Sequence, residues 1–355
     1  MVEKLREVLY SKNDSMREGL TYDDVLLVPQ LSDIRSRKEL NLTSKLTKSL
    51  SFELPIISAN MDSLTEADMA IAMARCGGLG VIHRYFPIAD QTHEVMKVKR
   101  SEGILIENPY TLGPNATIKE ARAMMTEKGI SGIIIVDKSM KLLGIVSKKD
   151  IWFESNPTKQ MHHVMTRKLI TANAGVRPEE AIKIFREHKV EKLPVVDKDG
   201  FLKGLITSKN IYKRTLYPNA SKDKKGHLLV GAAVGVVGDY MERTKALVEA
   251  GCDIIVIDIA HGHSTLELDT IRKIRKQFGN EIQIVGGNVA TYEGAAALVA
   301  AGVDAVKVGV GPGSICTTRK VTGCGIPQLS AVLECSRITG ESGVPVMADG
   351  GIKTS

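Results

Sequence analysis

The sequence predicts an α/β fold in which parallel strands and helices alternate as in a (β/α)8 barrel, interrupted once by a duplicated module. Three observations predict it. Short apolar runs that end in polar residues alternate with helical stretches in both halves of the chain. A central segment repeats itself at a fixed offset. The apolar run at 305–310 opens into Gly311-Pro312-Gly313 and then Cys316, Thr317, Thr318 and Arg319. A cysteine on a glycine-rich loop at the carboxyl end of a parallel strand lies where such barrels carry their chemistry.

Taken in order, residues 1–20 read as a polar helical arm and 21–30 as strand-like. Residues 54–61 begin apolar and end in Ser58, Asn60 and Met61, the profile of a barrel strand that stops at a site. An Ala/Met-rich helical pattern covers 64–76, and 77–83 reads as the next strand. The texture changes near Lys97. Residues 141–151 match 201–211 at an offset of 60, which also pairs Asp137 with Asp197 and Ala121 with Ala181. Each copy reads helix, strand, turn, strand, helix. After a loop at 217–223 the barrel texture returns, with strand-like runs at 228–234, 253–260, 282–290, 305–311 and 344–351. Helical stretches at 240–250 and 292–301 lie between them. With 56–58 and 80–83 this makes seven strands where the barrel needs eight, so truncation after strand seven is expected. The expected domains are 1–96 (first part of the barrel), 97–215 (duplicated module) and 216–355 (continuation of the barrel).

Composition narrows the function. Hydrophobic residues are 43% and charged residues 25% of 355, ordinary for a globular chain. No apolar run reaches membrane-spanning length, and the N-terminus carries no apolar signal core, so no membrane partner and no secretion are expected. Five cysteines without C-x-x-C spacing suggest reduced thiols and a cytoplasmic protein. Cys324 and Cys335 read as packing residues. The net charge of +7 is scattered, and only 4% of residues are aromatic, so nucleic acid is not an expected partner whereas a phosphorylated small molecule fits. His261 and His263 lack the supporting ligands of a metal site.

Five strand ends carry residues suited to a nucleotide. Ser58 and Met61 follow the first. Asp258, Ile259 and Ala260 follow the fourth. Asn288 follows the fifth. Ser314, Cys316 and Thr318 follow the sixth, and Asp349, Gly350 and Gly351 the seventh. A strand-end aspartate suits ribose hydroxyls, and consecutive glycine N–H groups suit phosphate. The thiolate of Cys316 would be the reactive form, favoured by Arg319 or by loop N–H groups. On Cys316 alone, a buried thiol after a glycine turn fits as well.

The string 311–319, followed by Val321-Thr-Gly-Cys-Gly-Ile-Pro-Gln328, closely resembles the catalytic loop of the IMP dehydrogenase/GMP reductase family. That resemblance implies Cys316 as the nucleophile on purine carbon 2, with Thr318 activating water or orienting the leaving group. It implies nucleotide contacts from Ser58, Met61, Asn288, Ser314, Asp349, Gly350 and Gly351. It places Asp258, Ile259, Ala260, Gly309, Val310 and Gly311 beside NAD, or NADPH in the reductase alternative. It implies a potassium ion on the carbonyls of Gly311, Gly313 and Cys316, and a homotetramer or octamer. The expected reaction is oxidation of IMP to xanthosine monophosphate (XMP) with NAD through a cysteine adduct. The alternatives are GMP reduction with NADPH, or a catalytically incomplete nucleotide-sensing subunit. The resembling enzymes continue with an eighth strand and a mobile flap, so residues 1–355 alone are expected to show little turnover. The repeat resembles a tandem pair of cystathionine-β-synthase-type (CBS) domains at about 103–155 and 162–215. In it Ser147 and Asp150 fit a site for the ribose of an adenine nucleotide. The second copy has Thr207 and Asn210 and lacks that carboxylate. A module without ligand, serving dimerisation, fits equally.

Overall fold

A computed structural model describes residues 18–103 and 105–353, leaving aside the side chains of 213 and 214. Most of the arm expected at 1–20 therefore lies outside the described residues. The chain divides into two compact units. One holds the residues up to Val98, Asn219–Ser221 and the chain from Leu229 onward; the other holds Lys99–Pro218 and Lys222–Leu228.

The first unit opens with the antiparallel hairpin β1 (Ser44–Lys45) and β2 (Ser51–Phe52). Strands β3 (Ile57–Ser58) and β4 (Leu79–Ile82) follow, joined by the helix Ala67–Arg75. The chain leaves for the second unit, which contributes β5 to β10. It returns as β11 (Gly231–Val234), β12 (Ile254–Ile257), β13 (Gln283–Val289), β14 (Ala305–Val308) and β15 (Val346–Ala348). These form one parallel sheet in the order β15-β14-β13-β12-β11-β4-β3. Every residue of β4, β11 and β12 is buried, as expected for parallel strands covered on both faces. Alternate residues point to one side: Leu79, Val81, Ile254, Val256 and Val285 pack there with Leu46 and Phe52 of the hairpin. Ser58 of one edge strand and Met347 of the other line the same interior cavity of about 320 Å³, so the sheet is curled as in a barrel.

The parallel strands are shorter than expected. The fourth ends at Ile257, the sixth at Val308 and the seventh at Ala348, so Asp258–Ala260, Gly309–Gly311 and Asp349–Gly351 are loop. Polar side chains and glycines leave the ladder there and face the carboxyl ends of the sheet. Residues 21–30 form a 3-10 turn, Tyr22–Asp24, and then an unladdered segment in which Leu26 and Leu27 are 94% and 98% exposed. Their β-type pattern has no pairing partner among the described residues.

The second unit consists of two similar three-stranded sheets. The first holds β5 (Thr111–Leu112), β6 (Gly132–Val136) and β7 (Leu142–Ser147); the second holds β8 (Ala172–Asn173), β9 (Lys192–Val196) and β10 (Leu202–Thr207). Each has its own core, around Ile133 and Ile135 in one and Leu193 and Val195 in the other. A shared cluster of Ile134, Val136, Leu202 and Leu205 joins them. The leading two-residue strand of each copy carries no readable period. Among the described residues no helix is long and apolar enough to cross a membrane.

Candidate functional site

The carboxyl ends of the parallel strands surround a cavity of about 430 Å³. Its floor is a polar network. Lys307, on β14, donates from Nζ to Oδ2 of Asp349 at 2.5 Å and to Oδ1 of Asn288 at 3.1 Å. Asn288 Nδ2 donates to the same Asp349 oxygen and to the carbonyl of Gly309, each at 2.8 Å. Burial pushes the Asp349 carboxyl up, but the Lys307 ammonium and the two donors outweigh it and hold it below its usual range. Gln328 ties the last two strand ends from below, donating to the carbonyls of Val308 and Asp349 at 2.9 and 3.2 Å. Across the cavity Arg84 Nε lies 3.3 Å from Asp258.

Cys316 stands above this floor on the 309–317 loop. Its N–H donates to the Gly313 carbonyl at 3.1 Å, a tight turn that ends where the short helix Thr318–Thr322 begins. Its thiol is held below the ordinary value, first by the Thr318 hydroxyl and then by the Thr318 N–H, against burial, with smaller help from the Gly311 N–H and the Arg319 charge. Donors aimed at sulfur favour thiolate and therefore nucleophilicity near neutral pH. Gly350 closes the turn from beneath: a Cβ on it would come 3.0 Å from the Gly313 Cα, and its φ of +79° already favours glycine.

The structure brings most of the expected site residues together. Cys316 and Thr318 border the cavity with Met61, Asn288 and Asp349. So do Asp258, Ile259 and Ala260 on one wall and Gly309, Val310 and Gly311 on another. Ser58 does not; it lines the interior cavity, where its buried Oγ has no partner among the described residues. Ser314 is exposed and off the lining, as is Gly313 within the loop, while Gly350 and Gly351 pack against Gly313 and Gln328 behind it. Lys307, Arg84 and Gln328 were missed. Lys307 had a readable signal, a lysine inside the apolar run at 305–308; Gln328 had none.

A second cavity of about 470 Å³ shares Ala260, Val310 and Thr318 with the first and is bordered by His261, His263, Thr291 and Cys324. Cys324 is exposed, which corrects its reading as a packing residue: the Gly323 and Gly325 backbone turns it out of the core. Cys335 is buried, its thiol donating to the Thr291 carbonyl at 3.4 Å and pushed up to about 12 by burial. Among the described residues no cluster of three or more histidine, cysteine or carboxylate side chains could hold a metal ion.

In the duplicated unit, Asp150 Oδ2 accepts from Ser147 N and Oγ at 2.6 and 2.7 Å, capping the helix Lys148–Ile151. In the second copy Asn210 Nδ2 instead donates to the Gly103 carbonyl at 2.8 Å. The polar group that would meet a ligand there is spent on the chain itself.

The profile of the IMP dehydrogenase / GMP reductase domain matches residues 19–355. The IMP dehydrogenase of Nitrosopumilus maritimus is 52% identical over 340 residues, covering 96% of this chain and 71% of the relative. That of Bacillus subtilis is 51% identical over 342 residues, covering 96% and 70%. Among solved structures, GMP reductase from Trypanosoma brucei in complex with guanosine 5'-triphosphate superposes with a TM-score of 0.91 at 40% identity, covering 97% of this chain and 84% of that one.

Proposed function

This chain belongs to the IMP dehydrogenase/GMP reductase family, and from that premise we propose that it oxidises IMP to XMP with NAD. The observation that carries the reading is Cys316, with its thiol lowered by Thr318, opening onto the same cavity as the Asn288–Lys307–Asp349 network. The network binds and orients. Asp349, kept ionised, accepts from ribose hydroxyls, while Lys307 and Asn288 prevent it from turning away. Cys316 Sγ then adds to carbon 2 of the purine, forming a C–S bond as the hydrogen on that carbon departs with its electron pair. The nicotinamide ring, when bound, supplies the hydride acceptor. Water next adds to carbon 2 with loss of a proton, the C–S bond breaks, and the thiolate is regenerated. Thr318 donates to that departing sulfur.

Asp258 to Ala260 and Gly309 to Gly311 form the opposing walls that fit a flat nicotinamide and its ribose, with Arg84 holding Asp258 in place. Potassium fits less completely. The carbonyls of Gly311, Gly313 and Cys316 are hard donors, but three from one loop fall short of the six or more oxygens that such a cation takes, and Gly313 already accepts from Cys316. No step here depends on it. In the duplicated unit, Ser147 and Asp150 are the pair to receive an adenine nucleotide ribose.

GMP reduction is the second reading, favoured by the Trypanosoma brucei neighbours at 40% identity. The relatives named IMP dehydrogenase stand higher, at 49–52%, so oxidation is preferred. Nicotinamide absorbance in the native protein separates them. A rise with IMP and NAD is expected. A fall with GMP and NADPH, and no rise with IMP, would make the protein a reductase.

A further inference from the structure

Glu267 is used neither by the sequence argument nor by the reaction above. It sits in the first turn of the helix Thr265–Phe278, where its N–H donates to the Ser264 cap. Its side chain turns inward and is 0% exposed. A helix of this kind normally puts an apolar residue there; a carboxyl group is costly to bury unless it is bonded and neutral. Oε1 accepts from the Gly287 N–H at 2.7 Å. Oε2 has no partner among the described residues. It lies 2.8 Å from where a Cβ on residue 262 would stand, a Cβ that would also come 3.0 Å from the Gly287 and Asn288 backbone. Gly262 in turn donates to the Asn288 carbonyl at 2.8 Å. The carboxyl group thus lies under the junction of the loop after β12, which begins at Asp258, and the end of β13, which carries Asn288.

We propose that Glu267 is a positioning residue, which fixes the Gly287–Asn288 irregularity of β13 from behind and thereby sets the Asn288 amide that the purine nucleotide meets. The inference rests on the proposed nucleotide site and adds a residue to it. Burial, opposed by the Gly287 N–H and reinforced by Asp258, pushes the carboxyl up to about 8. A carboxyl group so raised is largely protonated near neutral pH, while Oε1 still accepts from Gly287. The charged groups that face it are Asp258 from the end of β12 and Lys307 from β14; β13 presents glycine backbone, and His261 and His263 flank Gly262 in the chain. Above pH 8 Glu267 ionises beside Asp258, an added negative charge that strains this end of β13 and draws on the attraction of Lys307.

Two variants separate positioning from mere filling. Glu267→Gln keeps a carbonyl acceptor for Gly287 and stays neutral at every pH. Glu267→Leu fills similar volume and gives Gly287 no acceptor. In the native protein, calorimetric IMP binding is measured beside KM and kcat, with thermal denaturation as a control for folding. Glu267→Leu is expected to weaken IMP binding about tenfold or more, with a smaller effect on kcat, while Glu267→Gln stays within about threefold of wild type. Wild-type KM for IMP is expected to rise above pH 8 more steeply than that of Glu267→Gln. A folded Glu267→Leu that binds IMP like wild type would overturn the proposal. So would the same alkaline rise in Glu267→Gln, a test that survives if Glu267→Leu does not fold. Absence of IMP binding and turnover in the wild type itself would instead sink the nucleotide site on which the proposal stands.

Discussion

The floor of the site and the loop above it face one cavity but are held by different physics. Asn288, Lys307 and Asp349 sit at or just past the carboxyl ends of parallel strands, and the polar atoms that join them are bonded to another member or to the Gly309 carbonyl. The Cys316 loop is tied to its surroundings through Gly309, Val310 and Thr317, while the stretch around the thiol is held by the turn bond from Cys316 to Gly313 and by Thr318, and Ile315 and Val321 beside it are 71% and 80% exposed. A group that only has to bind gains from being over-determined. A sulfur that must approach carbon 2, bond and depart needs room, and a loop on a rigid scaffold supplies it.

Replacing residues on the two sides should therefore have different signatures. The largest effect is expected on the loop: Cys316→Ala should lower kcat by about 10⁴-fold or more while leaving IMP affinity nearly intact. Steady-state kinetics with equilibrium binding checks this, and appreciable turnover by the variant would end the nucleophile assignment. On the floor, Lys307→Met should act the other way, weakening IMP binding roughly 10- to 100-fold because Asp349 and Asn288 lose their shared donor in a largely buried setting. A variant with wild-type affinity and low kcat would mean that Lys307 takes part in the chemistry. The same change bears on acid stability. Lys307 holds Asp349 ionised, a contribution fully present above the unfolded carboxylate value near 3.9 and lost as pH falls through the lower folded value. Lys307→Met should flatten that acid limb in a denaturation series.

A smaller effect is expected from Thr318→Val. Its hydroxyl is the first cause of the lowered Cys316 thiol, so the pH at which iodoacetamide labelling of Cys316 half-saturates should lie below the free-thiol value near 8.5 in the wild type and move upward in the variant. Preferential labelling of Cys76, exposed but without these donors, would weaken the loop's claim. The smallest effect is expected from Cys324→Ser, which changes an exposed side chain outside the main cavity and should leave kcat within about twofold.

The floor and the loop were also unequally legible in the sequence. The loop is local: Gly311 to Arg319 stand together in the chain, and their string could be read directly. The barrel strands were legible for the same reason, each being one apolar run. The floor is assembled from β13, β14 and the turn after β15, so the partner of Asp349 could be identified only once the sheet order placed Lys307 beside it. Glu267 was hidden further still, because a glutamate in the first turn of a helix ordinarily reads as a solvent-facing group that favours the helix dipole. Strand ends were overrun because apolar Ile259 and Val310 continue the strand pattern into loops that serve the site.

The central claim is that Cys316 bonds to carbon 2 of IMP as hydride leaves. It is tested most directly by acid-quenching the native protein during turnover with IMP and NAD and mapping the modified peptide by mass spectrometry. The expected result is a purine nucleotide on the Cys316 peptide alone, formed only when both IMP and NAD are present. Reduced nicotinamide accumulating with Cys316 unmodified at every quench time, or the nucleotide found on another cysteine, would contradict it.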